Sequence, residues 1–251
     1  MMVSFLGRLL RKTFLQNGCL KGTFLKQSSC TNSNERAKLT KLIKGNTEIT
    51  QDHMTPEIAL HLITPKCKLW HEKGEDSPFV DPFWAFYWPG GQVLSRFILD
   101  NKNLFANKTV VDIGSGCGAS AISAKMAGAA HVLANDIDKV ALVAVQINSE
   151  LNTTSVEVSA SNLIGSYNSQ WDVVLLGDMF YDPEFADNIS GWIKVLIPSG
   201  ITLYVGDPGR LSFMNHPLKS SLKLCAEYQL PDRCKLENNG LSSGYVWSCY
   251  Y

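Results

Sequence analysis

Val110-Val111-Asp112-Ile113-Gly114-Ser115-Gly116-Cys117-Gly118 reads as a strand running into a glycine-rich turn. Thr109 to Ile113 is the strand, and Ser120 to Met126 is a small-residue helix stopped by Gly128. Glycines in the turn let the backbone bend tightly and let a ligand approach the main chain. The N–H groups at the start of the helix favour a negative ligand group. Strand, glycine loop and helix in this order open a doubly wound α/β domain.

The alternation continues downstream. His131 to Asn135 is a strand, and Lys139 to Leu151 is a helix with Val140, Val143, Ala144 and Ile147 along one stripe. Val156 to Ser159 is a short strand, Asp172 to Leu176 a strand, Pro183 to Leu196 a helix, and Ile201 to Val205 a strand. Leu218 to Tyr228 reads as helix, and Cys234 to Glu237 and Tyr245 to Tyr251 as two late strands. Alternating units imply a parallel sheet with right-handed crossovers, and the late pair would add an antiparallel edge. Upstream, residues 36 to 65 read as helical, broken at Pro56, and residues 66 to 83 as loop or short strands. The aromatic run from Pro82 to Gly91 leads into a helix from Gln92 to Asp100. The fold class is α/β, Rossmann-like and mostly parallel.

The loop alone suits two ligands, because it also satisfies Gly-x-Gly-x-x-Gly/Ala with Ala119 last. Asp112 separates them. A carboxylate two residues before Gly114 repels a dinucleotide pyrophosphate but suits S-adenosylmethionine, which carries an amine and a sulfonium. Asp136, at the end of the second strand, stands where a carboxylate takes both hydrogen bonds of a ribose diol. Asp138 is better read as the N-cap of the next helix. Asn162 after the third strand can meet an adenine edge or serve as a turn asparagine. Trp88 can wall the cofactor pocket or pack in the core. The cofactor candidates are therefore Trp88, Asp112, Gly114, Gly116, Asp136 and Asn162, with S-adenosylmethionine as the expected methyl donor.

Asp178-Met179-Phe180-Tyr181-Asp182 follows the fourth strand, at the strand ends that line the ligand crevice of a parallel sheet. Asp178 can accept a hydrogen bond from an amine, and Phe180 and Tyr181 can offer a π face to a cation. Asp178 and Tyr181 are the candidate catalytic residues. Methyl transfer needs orientation more than strong acid–base chemistry. A lysine acceptor must first lose its proton, which is expected to go to water, directly or through Asp178.

Hydrophobic residues make up 45% of the 251 and charged residues 18%, as in a globular protein. Formal net charge is zero, with no basic stripe to suggest a nucleic-acid partner. The first carboxylate is Glu35, after Arg8, Arg11, Lys12, Lys21 and Lys26. This basic, acid-free head, with Phe5, Leu6, Leu9 and Leu10 near one helix face, reads as a mitochondrial transit peptide over residues 1–35. The expected division is that leader followed by a catalytic domain, 36–251, whose segment 36–105 forms a helical and aromatic lid. No run approaches the ~18 to 20 apolar residues that a membrane span needs. The seven cysteines include no Cys-x-x-Cys pair, so neither a metal site nor a disulfide framework is expected.

Four segments together carry a specific resemblance: PFWAFYWPGG at 82–91, DIGSGCG at 112–118, Asn135 to Asp138, and DMFYD at 178–182. They resemble the family 16 methyltransferases, over residues from about 36 to the end. The resemblance implies a class I, seven-stranded fold and a mitochondrial matrix location. It implies transfer of up to three methyl groups to lysines of the electron-transfer flavoprotein beta subunit, which hampers that protein's docking to its dehydrogenases. Asp112, Gly114, Gly116 and Asp136 carry over as cofactor contacts, and Asp178 and Tyr181 as the acceptor motif. The competing readings are a methyltransferase for another protein or a small amine, a cofactor-binding subunit without turnover, and a nicotinamide oxidoreductase. An intact Asp178-x-x-Tyr181 argues against the second and Asp112 against the third.

Overall fold

The structure, a computed structural model, describes residues 33–71, 77–232, 234 and 240–249. The expected leader falls almost wholly outside these residues, and Ser33 to Glu35 already open the first helix. In chain order the elements begin with α1 (Ser33–Asn46), β1 (Glu48–Thr50), β2 (Leu60–Leu62), the short α2 (Lys68–His71) and α3 (Pro89–Asp100). The central units are β3 (Thr109–Ile113), α4 (Ala119–Met126), β4 (His131–Asn135), α5 (Lys139–Leu151) and β5 (Glu157–Ser159). There follow β6 (Val173–Gly177), α6 (Pro183–Leu196), β7 (Thr202–Asp207), the short α7 (Leu211–Met214), β8 (Lys223–Gln229) and β9 (Ser243–Cys249).

Seven strands form one sheet in the order β5-β4-β3-β6-β7-β9-β8, with β9 antiparallel to both of its neighbours. The five strands from β5 to β7 run parallel, so their carboxyl ends lie on one edge. This is the class I arrangement expected above.

Residue alternation sorts the two faces of the sheet. Val110, Val173, Leu175 and Tyr204 face α3 and α4, where Val93, Leu94, Phe97 and Ala121 cover them. Val111, Ile113, Val174, Leu176, Leu203 and Val205 face α6, where Ile189, Trp192 and Ile193 cover them. Neighbouring residues such as Val110 and Val111 thus enter opposite cores, and the strands are apolar on both faces. Burying each such side chain contributes about 1.5–3 kcal/mol.

Three sequence expectations are corrected. The helical reading of 36–65 holds only to Asn46; β1 and β2 then pair antiparallel, Glu48 opposite Leu62. The Asn148 side chain accepts from the His61 N–H, and Asn152 clamps both polar groups of the Ala59 backbone. These contacts, 87 to 93 residues distant in sequence, select an extended chain that local periodicity does not show. Leu218 to Tyr228 is one 3-10 turn, Pro217–Ser221, followed by edge strand β8. Pairing with β9 decides this, with an irregularity between Leu224 and Ala226 that blurs the alternation. Cys234 belongs to no strand; it is buried beneath α3 with its Sγ 3.4 Å from Gln92 Nε2. The remainder of that expected strand, 235–237, lies outside the described residues, as do positions 250 and 251 of the last one.

One close approach sets how α3 meets the sheet. A Cβ on Gly206 of β7 would run into the Gly90 carbonyl oxygen and come within 2.7 Å of Leu94 Cβ. Main chain cannot yield there, so Gly206→Ala should destabilise the protein by about 3 kcal/mol. Gly191, exposed on α6, has nothing within 4 Å of a built Cβ, and Gly191→Ala should stabilise by about 0.5–1 kcal/mol. Urea midpoints of the two variants should move in opposite directions; equal midpoints would refute this packing.

Candidate active site

The carboxyl ends of β3, β4, β6 and β7 share one edge of the sheet, and the predicted residues gather there. The glycine loop leaves β3 with Gly114 at φ +64° and Gly116 at φ +51°, conformations that L side chains adopt only under strain. Neighbouring strands hold the loop. Ser115 N donates to Asn135 O at 3.0 Å, and Gly116 N donates to Asp136 Oδ2 at 3.0 Å. The other oxygen of Asp136 accepts from Asp138 N at 3.0 Å, and Asp138 caps α5 by accepting from Val140 N at 2.8 Å.

Asp112 sits beneath the loop, 2% exposed, with Oδ2 accepting from Ala121 N in the first turn of α4. Burial pushes its carboxyl up to about 8. Its bond to the Ala121 amide ties β3 to the helix start. Asp136 is half-buried and keeps a lone pair on each oxygen, which suits a vicinal diol. Ser115 Oγ is buried and has no partner among the described residues. A diol-accepting carboxylate, an unsatisfied hydroxyl and a turn with backbone N–H groups fit S-adenosylmethionine. Ser115 and Asp136 would hold it, with Gly116 allowing its approach and Gly114 giving the turn its tight bend.

The Asp178–Asp182 loop lies directly against this one. A Cβ on Gly114 would strike the Met179 sulfur and lie 2.9 Å from Met179 Cε, so the methionine covers the glycine loop. Asp178 takes a left-handed φ of +61°, which only a few non-glycine residues adopt. Its amide donates to Gly206 O at 2.8 Å. Its carboxylate accepts from Gly90 N at 2.8 Å through Oδ2 and from Arg210 Nε through Oδ1. Tyr181 is 36% exposed, stacked on Phe185 with ring centroids 5.2 Å apart. Burial, with Asp182 and Asp136 nearby, pushes its phenol up to about 12, so it stays neutral. Phe180 is fully buried against Phe213 at 4.8 Å and offers no face to the crevice.

Two candidates have local partners instead. Trp88 donates its indole N–H to Phe83 O at 2.9 Å and stands half-buried among Phe83 and Phe86. Asn162 is exposed and accepts from Ile164 N at 3.1 Å, a turn role.

Two site residues escaped sequence reasoning: Arg210 and Asp207. Asp207 ends β7 and is wholly buried; its Oδ1 accepts from the amides of Gly209 and Arg210, each at 2.7 Å. Burial first, then the charge of Asp178, pushes its carboxyl up to about 7. The signal was present as Asp207-Pro208-Gly209-Arg210, a turn at a parallel strand's carboxyl end.

The chain is similar to known proteins along most of its length. The family model for ribosomal protein L11 methyltransferase (PrmA) matches residues 93–178. The electron transfer flavoprotein beta subunit lysine methyltransferase of Xenopus laevis is 50% identical over 208 residues, covering 82% of this chain and 85% of that protein. The Homo sapiens protein of the same name is 45% identical, covering 82% and 79%. A solved ribosomal protein L11 methylase from Lactobacillus delbrueckii subsp. bulgaricus superposes with a TM-score of 0.46 at 19% identity, over 63% of this chain and 77% of that one. With half of its residues shared over most of both sequences, the chain belongs to the electron transfer flavoprotein beta subunit lysine methyltransferase family.

Proposed function

We propose that this chain methylates lysine side chains of the electron-transfer flavoprotein beta subunit, using S-adenosylmethionine, in the mitochondrial matrix. The observation that carries the reading is the contact of Met179 with Gly114, which sets the glycine loop and the Asp178–Tyr181 loop side by side at the strand ends. The names of the relatives support the partner. The basic, acid-free head supports the location and the division into a leader, 1–35, and a catalytic domain, 36–251, with 36–105 as its lid segment.

The cofactor supplies a methyl group already activated on a sulfonium. Asp136 would take the ribose diol, and the glycine loop would bring main-chain donors to the ligand; Trp88, Asp112 and Asn162 would shape the pocket from the positions described above. Tyr181 would face the lysine nitrogen, and Asp178, whose oxygens already accept from Gly90 N and Arg210 Nε, would offer it a remaining lone pair. The residues' part would be to present the nitrogen lone pair in line with the donor's methyl–sulfur bond, so that the methyl would pass to nitrogen and its bonding pair to sulfur. Deprotonating lysine at pH 7 costs roughly 4.6 kcal/mol, and its proton leaves to water. Orientation by the two loops provides the rest.

Purified protein incubated with labelled S-adenosylmethionine should label the lysines of the flavoprotein beta subunit. Asp178→Ala should lower turnover by at least about 100-fold, as expected when about 2.7 kcal/mol of orienting interaction is lost. Near wild-type turnover would sink the assignment, and labelling of RNA alone would overturn the reading. In calorimetry Asp136→Ala should weaken S-adenosylmethionine binding by about 10- to 100-fold, the loss of a charged hydrogen-bonding group. Unchanged affinity would remove Asp136 from the cofactor site.

A further inference from the structure

We propose that Arg210 holds the acceptor lysine in its neutral, nucleophilic form by occupying Asp178 before the substrate arrives. The proposal rests on the reading of Asp178 and Tyr181 as the amine site. A bare carboxylate beside the lysine would favour ammonium, which has no lone pair to give. Nearby charges move an amine's protonation in a known direction: an anion favours ammonium, a cation favours amine. In water at pH 7 only about one lysine in 2,500 is neutral, so the balance of charge around the site bears directly on rate.

The geometry leaves Asp178 little excess charge. Its side chain is 4% exposed, and both oxygens are taken, one by Gly90 N and one by the Arg210 guanidinium. The arginine side chain is 22% exposed, so the cation is the more accessible member of the pair. Asp207 fixes its direction by gripping the backbone at Gly209 and Arg210, while its second oxygen, Oδ2, has no partner among the described residues. This second carboxylate partly offsets the arginine and sets how positive the site is.

The remaining charged or titratable groups are few. On the β6 side, Tyr181 is neutral, and Asp182 caps α6 by accepting from Phe185 N at 3.0 Å. Asp136 acts from β4, and its charge reaches Tyr181. Asp112 is enclosed beneath the glycine loop. On the β7 side, His216 pairs with Asp187 at 3.1 Å, and Tyr245 of β9 lies opposite Asp207, its ring 3.6 Å from a Cβ built on Gly209. Arg210 is the cation held at the end of β7 where the amine would enter.

The test is the pH dependence of kcat with saturating flavoprotein beta subunit, which reports ionisation within the bound complex. Arg210→Gln removes the charge and keeps an amide donor. Its rising limb should move up by about one pH unit, giving about tenfold lower kcat at pH 7 and convergence with wild type at high pH. Arg210→Lys should stay within about 0.3 unit of wild type, since it keeps the charge. Asp207→Asn, which keeps an oxygen for the Gly209 and Arg210 amides, should move the limb down. Opposite shifts support the proposal. A rate loss that is equal at every pH, or shifts of the same sign, overturns it. If Arg210→Gln does not fold, the downward shift of Asp207→Asn supports the proposal, and no shift overturns it. Wild-type protein that binds S-adenosylmethionine in calorimetry yet methylates no lysine overturns the functional reading and this proposal together. Lysine turnover with an unmoved limb overturns the charge role alone.

Discussion

The buried carboxylate of Asp178 is the junction on which the site depends. It joins three pieces of chain far apart in sequence: the start of α3 at Gly90, the end of β6, and the turn after β7 at Arg210. A charge this deeply buried is tolerable only when paired and hydrogen-bonded, and removing one partner of such a pair costs about 3–5 kcal/mol. The positive φ of Asp178 shows the same constraint from the backbone. The chain adopts a strained conformation there because both its amide and its carboxylate are held from outside.

From that junction the crevice is assembled in two halves. Over β3 and β4, Gly114 and Gly116 take positive φ and Asp136 accepts from the Gly116 amide, holding the turn against the strand end. Over β6 and β7, Asp178 pairs with Arg210 and Tyr181 stacks on Phe185. Met179 joins the halves by packing on Gly114. Methyl transfer between such halves depends on alignment, and each half is anchored by the same sheet edge. The close contact of Gly90 with Gly206 keeps α3 tight to that edge, which in turn places the Gly90 amide against Asp178.

Much of this was legible from local pattern. Strands β3 and β4 and helices α5 and α6 lie at the expected boundaries, because alternation, glycines and prolines mark them directly. Gly114, Gly116, Asp136, Asp178 and Tyr181 come together because residues just past parallel strands must share one edge. Asp112 was found at the right position, but its burial beneath α4 gives it a structural grip on the helix in place of an open charge toward the ligand. The Asn162 side-chain oxygen and the Trp88 indole N–H find local partners, which residue type alone does not reveal.

The sequence by itself determined the α/β class, the glycine loop and the two carboxylates at strand ends, because these follow from short-range spacing and from the conformational freedom of glycine. Only the tertiary structure decided the hairpin of β1 and β2, the β8 edge, and the pairing of Arg210 with Asp178. Each of these depends on a partner supplied from another segment: Asn148 and Asn152 for the hairpin, β9 for β8, Asp178 for the arginine. No local period encodes such partners, and the burial that makes them necessary exists only once the sheet has formed.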